Sequence, residues 1–479
     1  MMKKTYILPI LLAGTFALAG CSRAEAPDDR PVHITMWHYY NGAQKEQFDA
    51  LVQEFNDTVG VDQKIIVETL SKGSVFELQD SVYESIEGKT GSEPLPTLCS
   101  AYADTAYDLY QNDKIADFRP FLTGEEYDSY VSAYAEEGKF GEDASMMIFP
   151  IAKSTEVLTL NQTAWDSFAE ETGAKLEDLS TWEGLAKTAK TYYEWTDAMT
   201  ETPNDGQAFF GRDSFANYML IGSHQLSHDI YAGEDGTMKL DLDEETLRRL
   251  WDNYYVPYIS GYYLEEGTFR SDDVKTGRII AYVGSTSGAA YTPEQVIFDD
   301  GQTQDITCKN LALPNFEGTS PCAVQQGAGV VMLRTEEKMQ KAAVTFLKWL
   351  TQESQNIQFS AVSGYLPVKK DANDMETIAS CFSELGETMN PKLEEMLSTA
   401  IPQVNEYQLH TVRPFLHAND ARKVIDTTMP NLAKENREKV QELLAQGVSL
   451  EDAVAQFDTD EIFGEWCEET QKQLENLAD

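Results

Sequence analysis

Along most of the chain, apolar and polar positions fall in helix and strand periods. At Ile34-Thr35-Met36-Trp37-His38-Tyr39-Tyr40-Asn41-Gly42 a run of β-prone and aromatic residues stops at Asn41-Gly42, and Phe48, Leu51, Val52 and Phe55 then recur at i, i+3, i+4 and i+7. The pattern predicts strand, tight loop and helix, the opening unit of an α/β domain. Residues 64–70 predict a second strand, followed by Ser71-Lys72-Gly73-Ser74 and a helix with Leu78, Val82 and Ile86 on one face. Residues 96–102 predict a third strand, with Asp104 placed to cap a helix over 105–111. Strands and helices alternating at this length imply a mostly parallel sheet covered on both faces. Ligands of such sheets sit beyond the carboxyl ends of strands, where His38, Tyr39 and Tyr40 stand.

A second series follows. Val157-Leu158-Thr159-Leu160-Asn161 predicts a strand, and Ser180-Thr181-Trp182-Glu183 has the pattern of a capping box opening a helix. Helices are expected over 214–226 and 243–254. A strand over 278–283 then runs into Gly284-Ser285-Thr286-Ser287-Gly288, where backbone N–H groups and hydroxyls can bind an anionic or polyhydroxyl ligand or simply cap a helix. Residues 311–314 and 327–333 read as two more strands. Thr335-Glu336-Glu337 precedes a helix whose Met339, Ala342, Ala343, Phe346, Leu347 and Leu350 form one apolar stripe. The remainder reads as helical, interrupted by the turn Gly364-Tyr365-Leu366-Pro367. Trp165 and Trp182, on helices, read as core.

Composition narrows the class. A chain of 479 residues exceeds one ordinary core and predicts at least two lobes. With 37 basic against 80 acidic side chains, the formal charge is −43, a surface that repels nucleic acid and anionic lipid heads. Residues 1–20 carry Lys3-Lys4 and an apolar run too short to span a bilayer, and end in Leu18-Ala19-Gly20-Cys21. They read as an export signal whose end resembles the lipobox of bacterial lipoproteins, with Cys21 acylated and residues 21–30 as a polar linker. Two acyl chains anchor a protein stably to a membrane.

The five further cysteines are Cys99, Cys308, Cys322, Cys381 and Cys467, an odd number that cannot all pair; Cys308 and Cys322 are near enough in sequence to be a candidate bridge. No cofactor is expected. His224 and His228, four apart on a predicted helix, could face one metal, but no third ligand follows in a firm pattern and no metal site is expected. No Gly-x-Ser-x-Gly elbow or P-loop occurs, and no motif fixes a catalytic carboxylate pair. Against a binding protein stand two rivals: a secreted carbohydrate-active enzyme and a non-transport surface lipoprotein.

The order of parts resembles the family 1 extracellular solute-binding proteins of ABC importers, the group of maltose-binding and glycerol-3-phosphate-binding proteins. The resemblance runs through Ile34-Thr35-Met36-Trp37, Ala103-Asp104, Ser154-Thr155-Glu156-Val157-Leu158-Thr159-Leu160-Asn161, Gly277-Arg278-Ile279-Ile280-Ala281-Tyr282, Leu311-Ala312-Leu313-Pro314, Gly327-Ala328-Gly329 and Ser363-Gly364-Tyr365-Leu366-Pro367. It implies an α/β fold of two lobes with an interlobe cleft and a hinge: residues 31–153 plus about 314–334 in the first lobe, 154–313 plus 335–479 in the second. Crossings would fall near 154–157, 313–314 and 334–335. The cleft positions it implies are Tyr39, Tyr40, Ser74, Asp104, Ser154, Ser285, Thr286, Ser287, Gly327 and Tyr365, with Arg413 similar to the phosphate-facing arginine of the glycerol-3-phosphate branch. The implied function is that of a monomeric, membrane-anchored receptor on the bacterial cell surface or periplasmic face. It would capture a sugar or polyol, or alternatively glycerol-3-phosphate or a glycerophosphodiester, and deliver it to the transmembrane subunits of an ABC permease. Flat rings with carboxylate and hydroxyl partners suit such a solute.

Overall fold

The computed structural model describes residues 30–140, 145–234, 236–386 and 388–478, so the expected signal segment and Cys21 lie outside the described residues. In the first sheet, strand Val32–His38 lies between Ile65–Ser71 and Leu98–Ala101, parallel to both. Gly329–Leu333 joins antiparallel to Leu98–Ala101, and the short Ile115–Ala116 pairs outside it. Side chains alternate across a strand, and two cores result. Ile34, Met36, Leu98, Val330 and Met332 face Phe48, Phe55 and Phe346. Trp37, Cys99, Val331 and Leu333 face Leu78, Val82, Ala106 and Tyr107. The helix Gly42–Asp57 buries Phe48, Leu51, Val52 and Phe55, as its spacing requires.

The second sheet has the order Cys308–Leu311, Glu156–Asn161, Ala281–Ser285, Phe210–Arg212. The mostly parallel arrangement expected from the first series of strands holds in the first sheet and does not recur here. Glu156–Asn161 runs antiparallel to both neighbours, and the parallel pair is Phe210–Arg212 with Ala281–Ser285. A parallel pair needs a long crossover, which residues 213–280 supply; strands that enter directly from the other sheet carry no such constraint. Trp165 and Trp182 lie in the large core around this sheet, as expected.

The chain leaves the first sheet after Phe149, which bridges to Val330, and enters the second at Glu156. It returns between Leu311 and Gly329; on the way Cys322–Val324 pairs in parallel with Gln408–His410. The third return corrects the division expected at 334–335. Helix Glu337–Leu350 keeps its stripe on the first-sheet core, with the Phe346 and Trp349 rings against Phe55, and Phe359, Tyr365 and Val368 follow into the same core. The helices Pro391–Glu406 and Ala418–Ala445 belong with the second sheet, through Leu397 beside Val157 and Ala421 and Ile425 among its core residues. An apolar stripe demands a cover but does not name which sheet supplies it. Cys308 and Cys322 are separate thiols, one in a sheet strand with its Sγ on the Pro293 carbonyl, the other buried in its own strand.

Candidate functional site

A cleft of ≈ 860 Å³ opens between the two sheets' layers. On the first side stand Phe76, Asp80 and Tyr83 from helix Val75–Glu87, Tyr102 beyond the strand Leu98–Ala101, Asp104, and Glu137. The opposite side carries Asn217, Tyr231, the segment 411–415 and the first turns of helix Ala418–Ala445 with Arg422 and Asp426. Val324, Gln325 and Gln326, from the second crossing, line it as well.

The polar groups are held from below. Arg422 donates to Asn217 Oδ1 at 2.7 Å and to Ser214 Oγ at 3.1 Å. Asn217 donates in turn to Glu156 Oε1 at 2.7 Å and Gln326 Oε1 at 3.1 Å, and Arg212 meets Glu156 at 3.4 Å. Burial pushes the Glu156 carboxyl above its ordinary range, and Arg212 and Asn217 oppose that. This chain of bonds fixes the Arg422 guanidinium before any solute arrives, which reduces the ordering cost of binding. Fully buried Lys153, at the first crossing, pairs with Glu137 and donates to the Gly327 carbonyl at 2.7 Å. Gly327 has φ +95°, a conformation that glycine adopts freely.

Asp104 lies in the first turn of helix Ala103–Gln111, whose N-cap is Tyr102, so its expected capping role is corrected. Its Oδ1 accepts from Thr105 N–H at 2.6 Å. Burial nevertheless raises its pKa, partly opposed by that bond and by Arg422. A carboxyl kept at this cost and facing a cleft makes Asp104 a candidate functional group. Rings, carboxylates, amides and an oriented guanidinium together suit a solute with apolar faces and many hydroxyls or a negative charge.

Of the residues singled out in the sequence, Asp104 and Arg413 line this cleft. Tyr40 is fully buried, and Tyr365 is 6% exposed in the same core, with Tyr39 and Tyr365 joined by their hydroxyls at 3.1 Å. His38 is also core; its Nδ1 accepts from Tyr40 N–H, and burial lowers its pKa to about 4. Ser74 caps helix Val75–Glu87 through Glu77 N–H. Ser285 caps the short helix Thr286–Tyr291 and bonds Ser287, while Thr286 is buried. Ser154 bridges Gln326 across the crossing. His228 turns to Asp241 at 3.0 Å, away from His224, which pairs with Asp229. Sequence reasoning missed Phe76, Tyr83, Tyr102, Glu137, Tyr231 and Arg422. One signal was present: Arg413, Arg422 and Lys423 fall close together in a chain where acids outnumber bases 80 to 37.

The lobes also touch at the cleft rim. The hairpin Tyr231–Glu234/Thr237–Leu240 turns at Gly236 (φ +79°), so close to Tyr107 of the opposite lobe that a Cβ would overlap its hydroxyl.

The family model described as bacterial extracellular solute-binding protein matches residues 50–383. No curated protein sequence matches the chain. Among solved structures, UgpB from Mycobacterium tuberculosis in complex with glycerophosphocholine superposes with a TM-score of 0.65 at 16% identity, covering 93% of this chain and 99% of that one. The GacH receptor of Streptomyces glaucescens, solved unliganded and with acarbose, gives 0.62 at 14% identity, covering 93% and 98%. The cyclic alpha-maltosyl-1,6-maltose binding protein from Arthrobacter globiformis gives 0.60 at 16%, covering 93% and 100%. At these identities the likeness is one of fold, and that fold has two lobes.

Proposed function

This chain belongs to the bacterial extracellular solute-binding proteins, and from that premise we propose that it is the receptor of an ABC import system for a carbohydrate or polyol-type solute. The observation that carries the reading is the cleft itself. It is large enough for an oligosaccharide-sized ligand, and it is lined from both lobes by rings and by hydrogen-bonding groups of both signs. The structural neighbours GacH, solved with acarbose, and the cyclic alpha-maltosyl-1,6-maltose binding protein point the same way. Family members bind solutes rather than transform them, so no catalytic role is assigned to the carboxylates. A polyol bearing a phosphodiester is the second reading, favoured by Arg413 and Arg422 on one wall and by the glycerophosphocholine of the UgpB structure.

Binding can close the hinge only by the solute's greater affinity for the closed state. Small molecules released from purified protein, identified by mass spectrometry, give the ligand. Calorimetry and small-angle scattering with and without it should then show tight binding and a smaller radius of gyration. If neither sugars, polyols nor glycerophosphodiesters bind, the receptor reading fails.

The receptor works from a lipid anchor at Cys21, a reading supported by Leu18-Ala19-Gly20-Cys21. Cys21→Ala removes the acylated thiol and should leave the protein in the soluble fraction. Full membrane retention of that variant would refute the anchor.

A further inference from the structure

His224, Asp229 and His410 come together from three places in the chain: the last turn of helix Phe215–Gln225, the loop after it, and the end of strand Gln408–His410. Asp229 Oδ1 is 2.7 Å from His224 Nδ1 and 3.9 Å from His410 Nε2. One ligand atom from each residue lies within 4.8 Å of the others. Three atoms bound tetrahedrally to one ion at about 2.1 Å stand roughly 3.4 Å apart, so small side-chain rotations bring these to bonding positions.

One further observation favours an ion over a plain hydrogen-bonded cluster. His410 Nε2, on the side of the shared carboxylate, is buried with no hydrogen-bond partner among the described residues, and the imidazole rings, stacked with centroids 3.7 Å apart, would turn away from each other to share an ion. Buried nitrogens of this kind are normally satisfied. The other ring nitrogen of His224 is already supported. The Gln408 amide nitrogen lies 2.9 Å from its Nε2; turning that amide over places its oxygen there to accept from Nε2–H and leaves the Nδ1 lone pair for an ion. A metal-ligating histidine ordinarily has such a partner on its second nitrogen.

We propose that His224, Asp229 and His410 bind a divalent first-row transition ion of the zinc class, with a further position left to water. Two imidazoles and a carboxylate suit zinc and its neighbours rather than calcium or magnesium, which prefer all-oxygen shells. The site is separate from the solute-binding wall around Asp104 and Arg422. It adjoins the cleft through His410, which itself lines the cleft and leads into the segment 411–415 that carries Arg413. The ion would clip that segment to the end of helix Phe215–Gln225, joining parts of the chain far apart in sequence.

The test uses the purified chain, stripped by chelator and kept free of solute. Zn²⁺ titrated by calorimetry should bind at one equivalent above the weak background expected of so acidic a surface, and should raise the melting temperature. Co²⁺ should give the d–d absorption of a low-coordinate nitrogen/oxygen site. His410→Ala and Asp229→Asn should each weaken Zn²⁺ by at least about a hundred-fold, since even outer-shell changes cost 10- to 100-fold. His228→Ala should leave it unchanged. Circular dichroism of each metal-free variant checks folding; should His410→Ala unfold, Asp229→Asn, which keeps size and shape, carries the test. Absence of the one-equivalent phase, or its survival in His410→Ala and Asp229→Asn, overturns the proposal without touching the receptor reading.

Discussion

Two groups of tyrosines can be set side by side. Tyr39, Tyr40 and Tyr365 come from a strand end and a helix-terminal turn, and they pack on one another and on Phe359 in the first-lobe core. Tyr83, Tyr102 and Tyr231 come from a helix, a strand-helix junction and a hairpin, and they line the cleft. In every one of these groups whose pKa shifts, the phenol is raised by burial first; the shift therefore does not separate the two groups. What separates them is which side of the sheet end each ring occupies. Tyr40 and Tyr365, in the core, contribute through packing on every side, with Tyr39 half-buried against them. On the wall Tyr231 is itself buried, so the open faces left for a solute are those of Tyr83 and Tyr102.

The comparison breaks most clearly by paired truncation. Tyr40→Ala removes a fully buried ring and should cost about 3–5 kcal/mol of stability, read as a large drop in melting temperature with affinity kept in the folded fraction. Tyr102→Ala removes a ring that is 36% exposed and should barely move the apo melting temperature, while solute affinity falls by about ten-fold to a hundred-fold. Thermal melts with calorimetry on the identified solute measure both. The reverse pattern, affinity lost in the first and stability in the second, would show that the two groups have been assigned the wrong way round.

A finer test uses Asp104. Its folded-state pKa is raised, chiefly by burial, so folding favours the protonated acid. Its contribution to stability is therefore fully present below the unfolded carboxyl value of about 3.9 and is lost as pH rises through the folded value. Asp104→Asn keeps an acceptor for Thr105 N–H and removes the ionisation. It should melt slightly higher than the parent at neutral pH, with the difference disappearing in acid, and it should bind solute more weakly. A lower melting point at pH 7 would mean the carboxylate stabilises the apo protein after all.

Much of the fold was legible because it rests on local periodicity. Phe48, Leu51, Val52 and Phe55, the stripe from Ala342 to Leu350, and the starts of the helices expected from 214 and 243 all stand where spacing and residue type put them. What periodicity does not carry is direction and partner. The antiparallel entry of Glu156–Asn161 and the attachment of helix Glu337–Leu350 to the first sheet depend on which lobe the chain is leaving, information held in contacts hundreds of residues apart. The site was legible in part for the same reason. Asp104, in the first turn after a strand-helix junction, is one of the residues expected in the cleft that line it. Arg422 acquires its orientation from Asn217, Glu156 and Arg212, and no local pattern announces that chain of bonds.

The contact at Gly236 sets a limit on shape. Where that backbone meets the Tyr107 hydroxyl, a Cβ would overlap it, so a side chain here must displace the tyrosine or part the two lobes. In parting them it would act as a doorstop, holding the rim apart without touching a wall residue. The apparent dissociation constant of such a receptor is its intrinsic one divided by the fraction of molecules able to shut. A substitution at Gly236, outside the residues that line the cleft, would then change how tightly the whole protein grips by changing how many molecules can shut.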